Sequence, residues 1–235
     1  MLLNIILFIL LYYTMTTIFN QSNFTVKKIK EHSYTIEYMN EDSLFFSSLM
    51  FKKDIVETNV KDKTTQVMFN ATSVQTLNQL VTKKEGYLSY DDVVNFIHDI
   101  GTQCVNQEKK GVIFSGINKD NIIVIDDTYF LLLDTDIYAK QDETTYIIHK
   151  IPYKDMNSSP EILSLAIIPG SMYRTTWMYS LASLCIELLL QQTEIHSKRE
   201  TEIKTIIESI QDTKLYFCLL RMLLEDPVKR KFLFI

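Results

Sequence analysis

One stretch constrains this chain more than any other: Gly111 to Asp136, GVIFSGINKDNIIVIDDTYFLLLDTD. It reads as a short strand, a polar loop ending at Asn121, and a hairpin of Ile122–Ile125 with Tyr129–Leu133 turned through Asp126, Asp127 and Thr128. Asp134 stands at the end of the second strand. Asn121 and Asp134 are thirteen positions apart, and a hairpin between them brings such a pair together. An amide oxygen and a carboxylate so placed are the donors that hold Mg²⁺ on a nucleotide, with Asp136 as a third oxygen nearby. The same residues also have a structural reading, in which Asn121 bonds the loop backbone and Asp134 caps the strand.

These residues resemble the catalytic core of eukaryotic protein kinases, where H-R-D-x-x-x-x-N precedes a hairpin and a D-F-G. In that register Phe114, Ser115 and Gly116 stand for His-Arg-Asp, Asn121 is kept, and D-F-G reads Asp134-Thr135-Asp136. Further on, Tyr138 to Pro160 has the length of an activation segment, and Ser159-Pro160-Glu161 is similar to A-P-E. The resemblance implies an ion pair between Glu161 and Arg230 of Asp226-Pro227-Val228-Lys229-Arg230, a pair that holds the fold. It also sets Trp177-Met178-Tyr179-Ser180-Leu181-Ala182 beside D-x-W-S-x-G, with Trp177 where an Asp ties down the loop. Loop and tie are therefore expected to be lost together.

The fold this implies is α+β: a protein kinase-like two-lobe fold with a reduced β-rich N-lobe over residues 24–70 and a helical C-lobe over 71–235, after an apolar segment, 1–20. The chemistry it implies is damaged. A kinase uses the loop Asp to accept the hydroxyl proton, and Gly116 has no side chain to do so. The loop Lys falls at Asn118, leaving Lys119 and Asp120 as substitutes. The first glycine of the chain is Gly86, so no glycine-rich loop lets backbone amides approach phosphates. The strand SYTIEYM carries no Lys; Lys28 and Lys30 lie upstream, on another strand, and read as surface cations. Glu41 or Asp42 stands near the place of the helix glutamate. The expected function is a catalytically impaired pseudokinase acting as a binding or scaffold module, with no cofactor, Mg-ATP being what Asn121 and Asp134 would hold. Two alternatives stay open: a divergent Ser/Thr protein kinase using Lys119, Asp120 or Asp136, and a membrane-tethered helical adaptor.

The rest of the chain is read from periodicity. Leu2 to Phe19 carry no charge over eighteen positions, the lower edge of a membrane-spanning helix, and Lys27, Lys28 and Lys30 would then keep the domain cytosolic. The alternative places that run inside a cytoplasmic fold. Alternation predicts two strands over Phe24–Met39 and strands at Ile55–Val60 and Thr65–Phe69, with a helix at Glu41–Met50. The kinase resemblance sets Asn70-Ala71-Thr72 where the hinge would be, and Ser73–Leu77 reads as the start of a short helix. A longer helix follows Ser89, whose pairing with Asp92 resembles a capping box, and runs to about Gln107. His98 reads as a helix-surface residue. Apolar helices are expected at Trp177–Leu190, Glu200–Ser209 and Leu215–Leu224. Thr144, Thr145 and Tyr146 read as exposed loop hydroxyls, and Asn23, Asn70 and Asn157 as silent glycosylation sequons. Cys104, Cys185 and Cys218 lie in apolar helical contexts and read as buried thiols. A net charge of −5 gives no reason to expect nucleic acid. Partners are therefore expected to be proteins.

Overall fold

The computed structural model describes residues 15–21, 23–38, 55–61, 63–134, 137–139, 145–152 and 154–234. The expected helix at Glu41–Met50 lies outside them, as do Asp136 and Thr144. Five strands form an antiparallel sheet: β1 (Thr16–Gln21), β2 (Phe24–Lys30), β3 (Ser33–Tyr38), β4 (Ile55–Lys61) and β5 (Thr64–Asn70), in the order β1-β2-β3-β5-β4. Alternation decides its faces. Phe24 and Val26 stand beside Tyr38 and Ile36, which stand beside Thr65 and Val67, and all are buried. The intervening Lys27 and Glu37 form an ion pair on the other face, at 2.7 Å.

The apolar N-terminal run divides. Thr16–Phe19 belong to β1 and pair with β2, while residues 2–14 lie outside the described part. The residues of that run nearest the domain are therefore strand, not helix. Among the described residues no helix is long and apolar enough to cross a membrane.

After β5 the expected helix start at Ser73 is corrected. Val74–Thr76 form a strand, β6, and α1 (Leu77–Lys83) begins only after Thr76, whose side chain caps it in a box with Gln79. The β-branched Val74 and Thr76 favour the strand, and α1 starts at the first residue that Thr76 can cap. Helix α2 (Tyr90–Lys109) starts from the Ser89–Asp92 capping box. Strand β7 (Val112–Phe114) leads to the hairpin of β8 (Ile122–Ile125) and β9 (Tyr129–Leu132), which β6 extends to three strands.

That hairpin is buried on both sides. Ile122, Val124, Phe130 and Leu132 join the helical core. Ile123, Ile125, Leu131 and Leu133 join the core under the five-stranded sheet. This is why IIVI and YFLLL are continuous apolar runs without alternation. The hairpin is the wall shared by two cores.

Two buried polar residues of α2 close its free edge. Phe130 N–H donates to Asp99 and Leu132 N–H to Gln103, while Gln103 donates to the Phe130 carbonyl. Helix side chains thus stand where another strand would bond.

Beyond the hairpin, β10 (Ile137–Ala139) pairs with β7. The stretch expected to be a polar loop holds a strand instead: β11 (Thr145–Ile148) pairs with β12 (Gly170–Tyr173). Tyr146 is 1% exposed, packed in a small core with Ile113, Ile162 and Met172, so it is no exposed hydroxyl. Helices α3 (Pro160–Ser164), α4 (Thr176–Leu190), α5 (Glu200–Ile206) and α6 (Lys214–Met222) complete the described α+β fold. Trp177 is fully buried against Phe232. All three cysteines are free and buried, and burial pushes their thiols up.

Candidate functional site

The loop between β7 and β8 is built on Phe114 and Ser115, both buried, and on Gly116. A Cβ at Gly116 would stand 3.3 Å from Ser180 Oγ, tighter than ordinary contact. That oxygen is the loop's tie. Ile117 N–H donates to Ser180 Oγ at 2.8 Å, from the middle of α4. The expectation that the tie disappears with the Asp is corrected. Trp177 turns into the core, and a hydroxyl three residues on takes the backbone donor.

Both substitutes proposed for the missing groups are engaged elsewhere. Lys119 pairs with Glu187 of α4 at 2.6 Å. Glu187 also accepts from Asn157, whose carbonyl oxygen takes the Ser183 hydroxyl. Asp120 accepts from Asn78 of α1 at 2.7 Å, and its own N–H is held by the Asn118 side chain at 2.9 Å. These contacts fix the loop between α1 and α4. Asn157, 3% exposed, is buried in this network, which takes it out of reach of glycosylation.

Asn121 and Asp134 are brought near each other by the hairpin. Leu133 N–H donates to the Asn121 carbonyl at 2.7 Å, so Asp134 follows directly on the residue facing Asn121. Both are buried. Asp134 and Glu108 add, after burial, to the forces holding the Cys104 thiol well above its ordinary range. Asp136 lies outside the described residues. Among the described residues no group of three or more His, Cys, Asp or Glu side chains could hold a metal.

Among the described residues, Asn121 and Asp134 are the two oxygen donors this end of the hairpin offers a Mg-nucleotide. Two oxygen donors need phosphates to complete the ion's shell, and phosphates need cations or open amides. Of the described sheet's cations, Lys27 pairs with Glu37, Lys28 stands beside Tyr34 on the inner face and lies over its ring at 5.9 Å, and Lys30 and Lys61 are exposed. Between sheet and hairpin, Phe24, Val26 and Ile36 share one buried cluster with Ile123 and Leu131. The Phe24 and Tyr38 rings stack at 4.4 Å.

Glu161 and Arg230 are brought together. The guanidinium makes a two-pronged contact with the carboxylate, the NH2–Oε2 arm at 3.0 Å. Two further donors go to the Leu224 and Glu225 carbonyls, and it lies over the Tyr179 ring at 5.0 Å.

The hairpin turn does more than its sequence suggests. Asp126 and Asp127 both take positive φ, a conformation Asp tolerates. The Asp126 carboxylate then accepts Thr72 N–H, the Thr72 hydroxyl and Ser73 N–H, while Asp127 accepts from Gln75 and Lys83. The turn thereby fastens the segment expected to be a hinge. Adjacent acids in a tight turn were the available signal, and Asp99 and Gln103, four apart inside an apolar helix stripe, were another. His98, beside Asp99, is half-buried with its Nδ1 3.4 Å from that carboxylate. No family model matches the chain, and a search of curated proteins finds no match.

Proposed function

We propose that the chain is a degenerate member of the protein kinase fold that works as a protein-binding module and does not transfer phosphate. The order of elements supports the resemblance: three antiparallel strands, two more, a helical region, a buried hairpin, and the Glu161–Arg230 pair. The observation that carries the inactive reading is the direct packing of the sheet's inner face on the hairpin, because the resemblance would seat the nucleotide between them. Side chains already fully buried there leave a nucleotide to displace apolar contacts, at about 25 cal/mol per Å² of surface re-exposed. The loop agrees with this, since Gly116 supplies no proton acceptor and Lys119 and Asp120 are committed to Glu187 and Asn78.

Thermal unfolding with and without millimolar Mg²⁺–ATP tests the reading. A ligand at a hundred times its Kd stabilises by about 2.7 kcal/mol, several degrees in Tm. The expected result is no rise, no transfer of labelled phosphate to a peptide, and none from Gly116→Asp either. Transfer by the unaltered chain that vanishes in Asp134→Ala overturns the proposal in favour of a divergent kinase.

A further inference from the structure

A cavity of about 300 Å³ opens between α5, α6 and the start of α3, far along the chain from the loop described above. Its apolar lining includes Ile203, Leu220, Leu223 and Leu224. Phe217, one turn before Leu220 on α6, is 50% exposed and extends the apolar track beyond the cavity. Tyr179, 3% exposed, also lines it, and its hydroxyl has no hydrogen-bond partner among the described residues. Burial pushes that phenol up to about 12, against the opposing pull of Arg230, so it stays a donor.

The rim carries two charges of each sign, and one of each is paired on the surface. Arg199 is held by Glu202 and Glu200 by Lys204. His196 Nδ1 faces the Met156 carbonyl at 3.3 Å. Lys198 and Glu225 are left, neither making an ion pair among the described residues. A fatty or aromatic acid would answer Lys198 and be repelled by Glu225. A polypeptide answers both, and its backbone supplies an acceptor for Tyr179.

We propose that this groove docks a peptide segment of a partner protein, with one apolar side chain in the cavity and a main-chain carbonyl on the Tyr179 hydroxyl. An acidic residue of the segment faces Lys198 and a basic one faces Glu225. Helix-lined grooves of this kind take apolar anchors spaced along one face of their ligand. The inference deepens the binding-module reading and rests on it for the partner being a protein.

The full chain, used to select from a random twelve-residue peptide library on phage, gives the test, followed by anisotropy titration of the synthetic peptides. Selected peptides are expected to share a large apolar residue flanked by an acid and a base. Leu220→Arg, which fills the cavity from a partly exposed position, weakens binding at least tenfold with Tm kept. Lys198→Glu weakens it several-fold, and replacing the peptide's acid by Lys restores it. Failure to enrich any peptide, binding indifferent to Leu220→Arg, or displacement by octanoate below the peptide's own Kd each overturns the proposal. A chain that transfers phosphate yet docks these peptides ends the inactive reading and leaves the groove standing.

Discussion

Two of the cation–carboxylate contacts that join distant parts of the chain are built to different standards. Arg230 is fully buried, spends its donors on Glu161 and two carbonyls, and covers the Tyr179 ring. Lys119 is 38% exposed and meets Glu187 by one arm. The first charge has left water and is met by a carboxylate and two carbonyls; the second is screened and shares its carboxylate with Asn157. Position in the fold follows the same division. The desolvated pair fastens the C-terminal segment to α3, whereas the screened one holds the loop between β7 and β8.

The comparison breaks most visibly at Arg230. Arg230→Met leaves the Glu161 carboxylate without its buried partner, and unfolding free energy is expected to fall by about 3–5 kcal/mol. Lys119→Met is expected to cost roughly 1 kcal/mol or less, since an ion pair more than a third exposed contributes little. Urea titrations of both variants read the difference. Equal losses would mean that burial does not separate the two contacts. Arg230→Lys belongs with the large losses, because an ammonium cannot reproduce a two-pronged fork and two carbonyl bonds.

Ser180→Ala probes the loop without touching charge. It leaves Ile117 N–H without its acceptor, and the expected loss is about 1–3 kcal/mol, with amide exchange at Ile117 accelerated in proportion. A loss near zero would show that the loop is held by Lys119 and Asp120 alone.

What was legible in the sequence was local or charge-paired. The hairpin announced itself by two apolar runs around adjacent acids, α2 by a serine three residues before an aspartate, and the Glu161–Arg230 pair by a motif at each end. Contacts in which an ordinary residue does unusual work were hidden. Ser180 is one hydroxyl among many in an apolar helix, and only the fold puts it under Ile117. Tyr146 looked exposed because its neighbours are polar; its burial comes from pairing with residues 170–173, which no local pattern encodes. The strand at Thr16–Gln21 straddles the end of the uncharged run, with only Phe19 buried among four polar residues, so neither a helical nor a strand period stood out. In each case a partner distant in sequence decided the outcome.

The smallest effect sharpens the comparison because it adds pH as a variable. Asp92 in the α2 capping box accepts from Ser89 N–H at 3.1 Å, from the Ser89 hydroxyl at 2.6 Å and from Lys84. Burial would raise its carboxyl, but the bonds from Lys84 and Ser89 outweigh burial and hold it below the ordinary value. A carboxylate lowered on folding stabilises above its unfolded titration range, and that contribution is lost as pH falls through the folded value. Asp92→Asn is therefore expected to cost about 1 kcal/mol at neutral pH. The difference from the unaltered chain should close as pH drops below about 4. Ser180→Ala involves no titrating group, so its loss stays flat over the same range. Paired urea titrations from neutral to acid pH distinguish the two shapes. A constant Asp92→Asn difference would mean that the box acts through hydrogen-bond geometry alone, with no share from the carboxylate charge.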